Sequence, residues 1–189
     1  MNDYLRATLA AAGATAVIVV ISALAFAITA VSGLPQHFGG SGLWWALGAF
    51  LVGLGVLWAG WVFVYRTPKA FFVSTFYTFK KALTRADPSS SLGRNEPFIV
   101  DGPYLYVRNP TYFGVCAILF GIALISGLTF LLVAGLGLLA WFNIVVMPYE
   151  KREMIALFGQ DYVTYTKMVP AFIPSGKVVY GRSNSKPSN

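Results

Sequence analysis

The chain has one cysteine, Cys116, and one histidine, His37, in 189 residues. A disulfide needs two cysteines, and a zinc, haem or iron–sulfur centre needs clustered ligands, so the sequence predicts neither a disulfide nor a metal site. Charge is scarce too. Fourteen Lys or Arg and seven Asp or Glu amount to 11% of the chain, about half the share usual in a soluble domain. From Ala7 to Tyr65 and again from Asn109 to Tyr149 there is no Asp, Glu, Lys or Arg at all. Uncharged apolar runs of that length exclude a soluble globular protein. The net charge of +7 raises nucleic acid as a partner, but basic residues beside apolar spans serve orientation and contact with anionic headgroups. No nucleic-acid partner is expected.

What is present instead is membrane-spanning sequence. A bilayer core takes roughly 20 residues of helix, so each uncharged run is long enough to cross twice. The predicted fold is an all-α polytopic membrane protein with four transmembrane helices, near Leu9 to Val31, Leu43 to Tyr65, Thr111 to Ser126 and Leu128 to Met147. Breaker clusters at Ser32-Gly33-Leu34-Pro35, Gly39-Gly40-Ser41-Gly42 and Arg66-Thr67-Pro68 bound the first pair, and Gly127 is the tight turn of the second. A signal peptide ending near Ala25-Phe26-Ala27 is the lesser reading of the N-terminus, because the uncharged run is longer than such a segment needs. Gly114, Ala117 and Gly121 share one side of the third span, where small residues let helices approach closely.

Assigning every charge to a side tests this layout. The charged residues fall in Met1 to Arg6, in Arg66 to Arg108 and after Met147, while the loops 32–42 and 126–128 carry none. By the positive-inside rule both termini and the long central segment face the cytoplasm of an inner, cytoplasmic membrane, and polar chemistry belongs on that face. Two cytoplasmic helices are expected there. Pro68 to Arg85, with Phe72, Phe76, Phe79 and Leu83 at helical spacing, reads as an interfacial helix or a cytoplasmic extension of the second span, and Pro148 to Met168 as a C-terminal helix with an apolar stripe interrupted near Gly159. The organisation is then residues 1–66 as an N-terminal pair of spans, 67–175 as a catalytic membrane region, and 176–189 as a disordered tail.

Polar residues converge in two segments, Asp101 to Gly114 and Tyr149 to Glu153, at the two cytoplasmic ends of one helical hairpin. An antiparallel hairpin makes those ends neighbours, which brings Asn109 and Tyr112 within reach of Glu150. Plain structural readings stand beside the functional ones. Asn109-Pro110 is also an ordinary helix start with Arg108 as a juxtamembrane anchor, Glu150 suits a first helical turn, and Tyr104, Tyr106 and Tyr112 suit an aromatic belt.

Gly102-Pro103-Tyr104, Arg108-Asn109-Pro110, Tyr112 and Gly114, then after the hairpin Glu150, Phe158-Gly159, Tyr162, Tyr165, Val169-Pro170 and Ile173-Pro174, make a series that resembles the isoprenylcysteine carboxyl methyltransferase and phospholipid methyltransferase superfamily. The resemblance covers about residues 92 to 175. It implies an integral-membrane methyltransferase with S-adenosylmethionine as donor, acting on a lipid or another small hydrophobic acceptor. By motif position, cofactor contacts fall on Phe98, Ile99, Tyr104, Asn109, Pro110, Tyr112 and Glu150, and the catalytic roles on Arg108, Asn109 and Glu150. Chemistry agrees with that carry-over, since a carboxylate complements a cationic sulfonium and ammonium and aromatic rings can surround an adenosine.

The chain also departs from the superfamily pattern. Asn109 stands where His is usual and Lys151 where a second acidic residue is usual. Val146 and Ala171 stand where arginines are found, the first being the one that holds a prenylcysteine carboxylate. A neutral or cationic headgroup, an amine or a small apolar thiol is therefore favoured as acceptor. Asp101, Tyr106 and Glu153 are the candidates for a general base. Two other functions stay open at this point: an NADPH-dependent membrane reductase served by Lys80, Lys81, Arg85, Arg94 and Arg108, and a non-enzymatic membrane scaffold or carrier.

Overall fold

A computed structural model of the chain describes residues 3–39, 41–65, 98 and 100–176. The expected interfacial helix at 68–85, the loop at 87–93, Ile99 and the tail after Gly176 lie outside the described residues. Among those described, the chain is all-α. It comprises α1 (Asp3–Val31), α2 (Gly42–Tyr65), a 3-10 turn (Gly102–Leu105), α3 (Pro110–Ser126), α4 (Thr129–Trp141), a π-helical turn (Phe142–Val146) and α5 (Met147–Met168).

Helix α2 packs along α3, α1 packs along α4, and α3 and α4 form a hairpin. The α2–α3 seam is built on a two-turn repeat of glycine on both helices. A Cβ at Gly48 would lie 2.6 Å from the Gly121 carbonyl oxygen, and one at Gly55 would lie 2.6 Å from that of Gly114. Without lipid-excluded water to drive association, such backbone approach is what holds membrane helices together. Small residues continue through the core, where Ala25, Ala117, Ala123 and Ala134 are buried. Large side chains point outward instead, Leu57 at 72% and Val64 at 78% exposure.

Gly121→Leu is expected to force the seam apart, because its Cβ would meet the Gly48 carbonyl and the backbone of Val52 rather than a flexible side-chain end. Overpacking of this kind costs about 1–3 kcal/mol. Thermal unfolding in detergent should show the loss, while Gly53→Ala, with nothing within 4 Å of its new Cβ, should melt with the parent.

Gly127 ends α3 with φ 67°, a left-handed conformation that glycine adopts without strain. The turn is tied to the loop between α1 and α2. Phe38 N–H donates to the Gly127 carbonyl at 3.0 Å, and Thr129 N–H donates to the Gln36 carbonyl at 3.0 Å. Both charge-free loops therefore sit together at one end of the bundle, and the polar segments collect at the other.

Two features differ from the sequence expectation. Among the described residues two helices are long and apolar enough to cross a membrane, Gly42–Tyr65 and the continuous stretch Thr129–Met168, whereas Thr15–Val31 and Pro110–Ser126 are shorter apolar helices. The second difference is at Pro148, where the sequence predicts a boundary between two helices. The helix instead runs on through the π-turn and breaks only at Gly159, with φ 56° and ψ −132°. A proline lacks the N–H for an α-helical bond and its ring strikes the carbonyl four residues back. Here the turn before it widens, so that Met147 N–H donates to the Phe142 carbonyl, five residues back.

Candidate active site

The end of the bundle opposite the two loops is organised by the segment 101–109, which enters α3. Gly102 and Pro103 are buried, and Gly102 has φ 60° with the Tyr65 ring where a Cβ would stand. The amides of Tyr106 and Val107 both donate to the Pro103 carbonyl, at 3.1 and 3.2 Å, and Val107 is fully buried. This tight turn fixes how Arg108 and Asn109 leave it.

Asn109 occupies the N-cap position of α3 as predicted, and fully buried Pro110 begins the helix, but the asparagine side chain makes no capping bond. Its Nδ2 donates to the Ala171 carbonyl at 2.8 Å instead. The partner lies on a strap of chain that follows α5. Along that strap the Arg108 amide donates to the Pro170 carbonyl at 2.9 Å, the Ser175 amide donates to the Tyr106 carbonyl at 2.9 Å, and Phe172 meets the Phe113 ring edge-on. The Tyr165 hydroxyl adds a bond to the Tyr104 carbonyl at 2.7 Å. Segment 104–109 is thus held to the end of α5 and to the strap over its whole length.

On the α4–α5 side, the Tyr112 hydroxyl donates to Glu150 Oε1 at 2.6 Å. The hairpin brings these two together, as the sequence predicts. Behind the tyrosine, Phe142 stacks on its ring with centroids 4.4 Å apart and planes 24° from parallel. Tyr112 and Glu150 are both half-buried, as are Tyr104, Arg108 and Asn109. The Arg108 Nε is buried and has no hydrogen-bond partner among the described residues. An arginine donor out of water without an acceptor is costly, and it suits an anion that arrives with a ligand.

The other sequence candidates have definite places. Phe98 stacks on Phe158 at 5.1 Å and meets Tyr162 and Tyr165 edge-on, inside a cluster with buried Val169. Its ring anchors the loop before the 3-10 turn. Tyr106 packs against Trp61, Asp101 is half-buried, and Glu153 is fully buried one turn after Glu150. Phe142 is the residue that sequence reasoning missed, because regular helical spacing turns it away from Glu150.

Glu150, with the Tyr112–Phe142 ring pair beside it, and Arg108, next to the start of α3, offer opposite charges at the same end of the bundle. No curated protein and no solved structure matches the chain. The profile of the phospholipid methyltransferase family matches residues 43–161, from the first turn of α2 into α5. That stretch takes in the glycine seam, the 3-10 turn, Arg108, Tyr112 and Glu150. It spans more than half of the sequence, and the chain therefore belongs to the phospholipid methyltransferase family, membrane methyltransferases in class.

Proposed function

We propose that this protein is an S-adenosylmethionine-dependent methyltransferase whose acceptor is a lipid or another small hydrophobic molecule that enters from the bilayer. The observation that supports this most is the Tyr112–Glu150 hydrogen bond, which sets a carboxylate between two antiparallel helices within the family-matched stretch.

S-adenosylmethionine, when bound, supplies a methyl group activated on a sulfonium. The residues fit such a cofactor: Glu150 provides negative charge for its ammonium, and the buried Arg108 Nε, without an acceptor of its own, provides a donor for its carboxylate or for an acceptor phosphate. Tyr104 and the side-chain oxygen of Asn109, whose Nδ2 is held by the Ala171 carbonyl, would meet its polar atoms, and Tyr112 would give a ring face. In-line displacement asks little covalent chemistry of the protein. The chain's task is to align the reactants and exclude water, and the bonds that tie 104–109 to Tyr165 and to the strap hold Arg108 and Asn109 for that purpose.

In this reading α1 to α4 all cross the bilayer, with the site on the cytoplasmic face where the positive charge collects. The α3 helix, Pro110–Ser126, is about 25 Å long, a short span that a locally thinned bilayer accommodates at small cost. Titration calorimetry with S-adenosylmethionine on purified protein in detergent tests the proposal. Saturable binding, with NADPH giving none, is the expected result; folded protein without cofactor affinity would refute it.

A further inference from the structure

The π-turn has a consequence for the site that neither the family match nor the motif residues contain. In a regular α-helix, eight residues advance about 80° beyond two full turns, so Phe142 and Glu150 would face different directions. One residue of extra backbone in the turn at Phe142–Val146 makes those eight positions span about two turns, within roughly 20°. Both side chains then meet the same tyrosine, Phe142 by stacking on its ring and Glu150 by accepting its hydroxyl.

The turn is stabilised from both ends. Pro148 removes the N–H that an α-helical register would need, and the Asn143 side chain donates to the Leu139 carbonyl at 2.8 Å, so backbone groups disturbed by the widening find partners. Ile144, at the middle of the turn, is 74% exposed, so burial of its side chain does not account for the turn. We propose that Phe142, presented by this π-turn, is a positioning residue of the site: it acts through the Tyr112 ring to hold the hydroxyl on Glu150 and so fixes the carboxylate that meets the cofactor ammonium. The last step rests on the cofactor reading given above, whereas the ring-to-hydroxyl step does not.

The test uses full-length protein in detergent with tyrosine labelled at the ring carbon bearing oxygen, the Tyr112 signal being assigned by its loss in Tyr112→Phe. In Phe142→Leu, which removes the ring and keeps most of the volume, that signal should move toward its position in Glu150→Ala. S-adenosylmethionine affinity by calorimetry should fall about fivefold, within the range an aromatic pair supplies. Phe142→Tyr, which restores a ring, should return both readouts to parental values, whereas a merely space-filling role predicts that Phe142→Leu, which keeps most of the volume, already behaves like the parent. Deletion of Ile144 combined with Pro148→Ala removes the extra residue and the proline together, turns Phe142 away by about 100°, and should move the Tyr112 signal in the same direction even if Phe142→Leu does not fold. An unchanged Tyr112 signal in either folded variant overturns the positioning role whatever the affinity. A parent that shows no affinity for S-adenosylmethionine overturns the cofactor reading whatever the signal.

Discussion

Glu150→Gln is expected to weaken S-adenosylmethionine binding about 30-fold, the scale of one charge-assisted hydrogen bond in a half-buried site. The substitution is chosen because it separates charge from shape. A glutamine oxygen can still accept from the Tyr112 hydroxyl, now at 2.6 Å from the carboxylate, so α3 and α5 remain linked and the melting temperature should stay close to parental. Loss of affinity without loss of stability then reports the missing negative charge. S-adenosylhomocysteine, which keeps the ammonium and lacks the sulfonium, divides the effect further. If Glu150 answers the ammonium, the product loses affinity as steeply as the cofactor does; if it answers the sulfonium, the product is little affected. Glu150→Gln that binds the cofactor like the parent would remove the carboxylate from the site.

Arg108 gives the second large effect, and its signature is a split between stability and binding. Its Nε is buried without an acceptor among the described residues, and an unmet buried donor costs about 1–3 kcal/mol. Arg108→Met keeps the length of the side chain and removes that cost along with the charge. Its backbone bond to the Pro170 carbonyl at 2.9 Å is untouched. The free protein should therefore melt no lower than the parent, while binding of the anionic group falls about tenfold. Which binding falls is informative. A weaker cofactor Kd assigns Arg108 to the cofactor carboxylate, and an unchanged Kd with a raised KM for acceptor assigns it to an acceptor phosphate. A lower melting temperature with both unchanged would make Arg108 a structural anchor.

The sequence revealed those parts of the molecule that follow from composition and local chemistry. Charge-free runs mark the apolar helices, Gly127 the hairpin turn and Asn109-Pro110 the start of α3, whereas α1 begins at Asp3 rather than near Leu9 and the helix expected to end at Met147 runs on. An antiparallel hairpin also implies Tyr112 beside Glu150, and the two are bonded. Harder to read were features that depend on a partner far away in sequence. Gly114 and Gly121 stood out as a small-residue face, but nothing local says that Gly48 and Gly55 are the surface they meet. Asn109 is a good N-cap by type, yet its side chain bonds to Ala171, a choice fixed by the strap folding back across the helix start. Pro148 reads as a helix boundary because a proline in a regular helix costs about 3 kcal/mol. The π-turn evades that cost, and it leaves no mark in a periodicity of 3.6 residues.

Transfer of label from S-adenosylmethionine carrying a radioactive methyl group, followed through extraction of lipids from vesicles that hold the purified protein, tests the central claim most directly. The account predicts label in the organic phase, on a lipid or small hydrophobic acceptor, strongly reduced by Glu150→Gln. Folded parent protein that leaves all the label on the cofactor, in vesicles made from a full lipid extract, would contradict it.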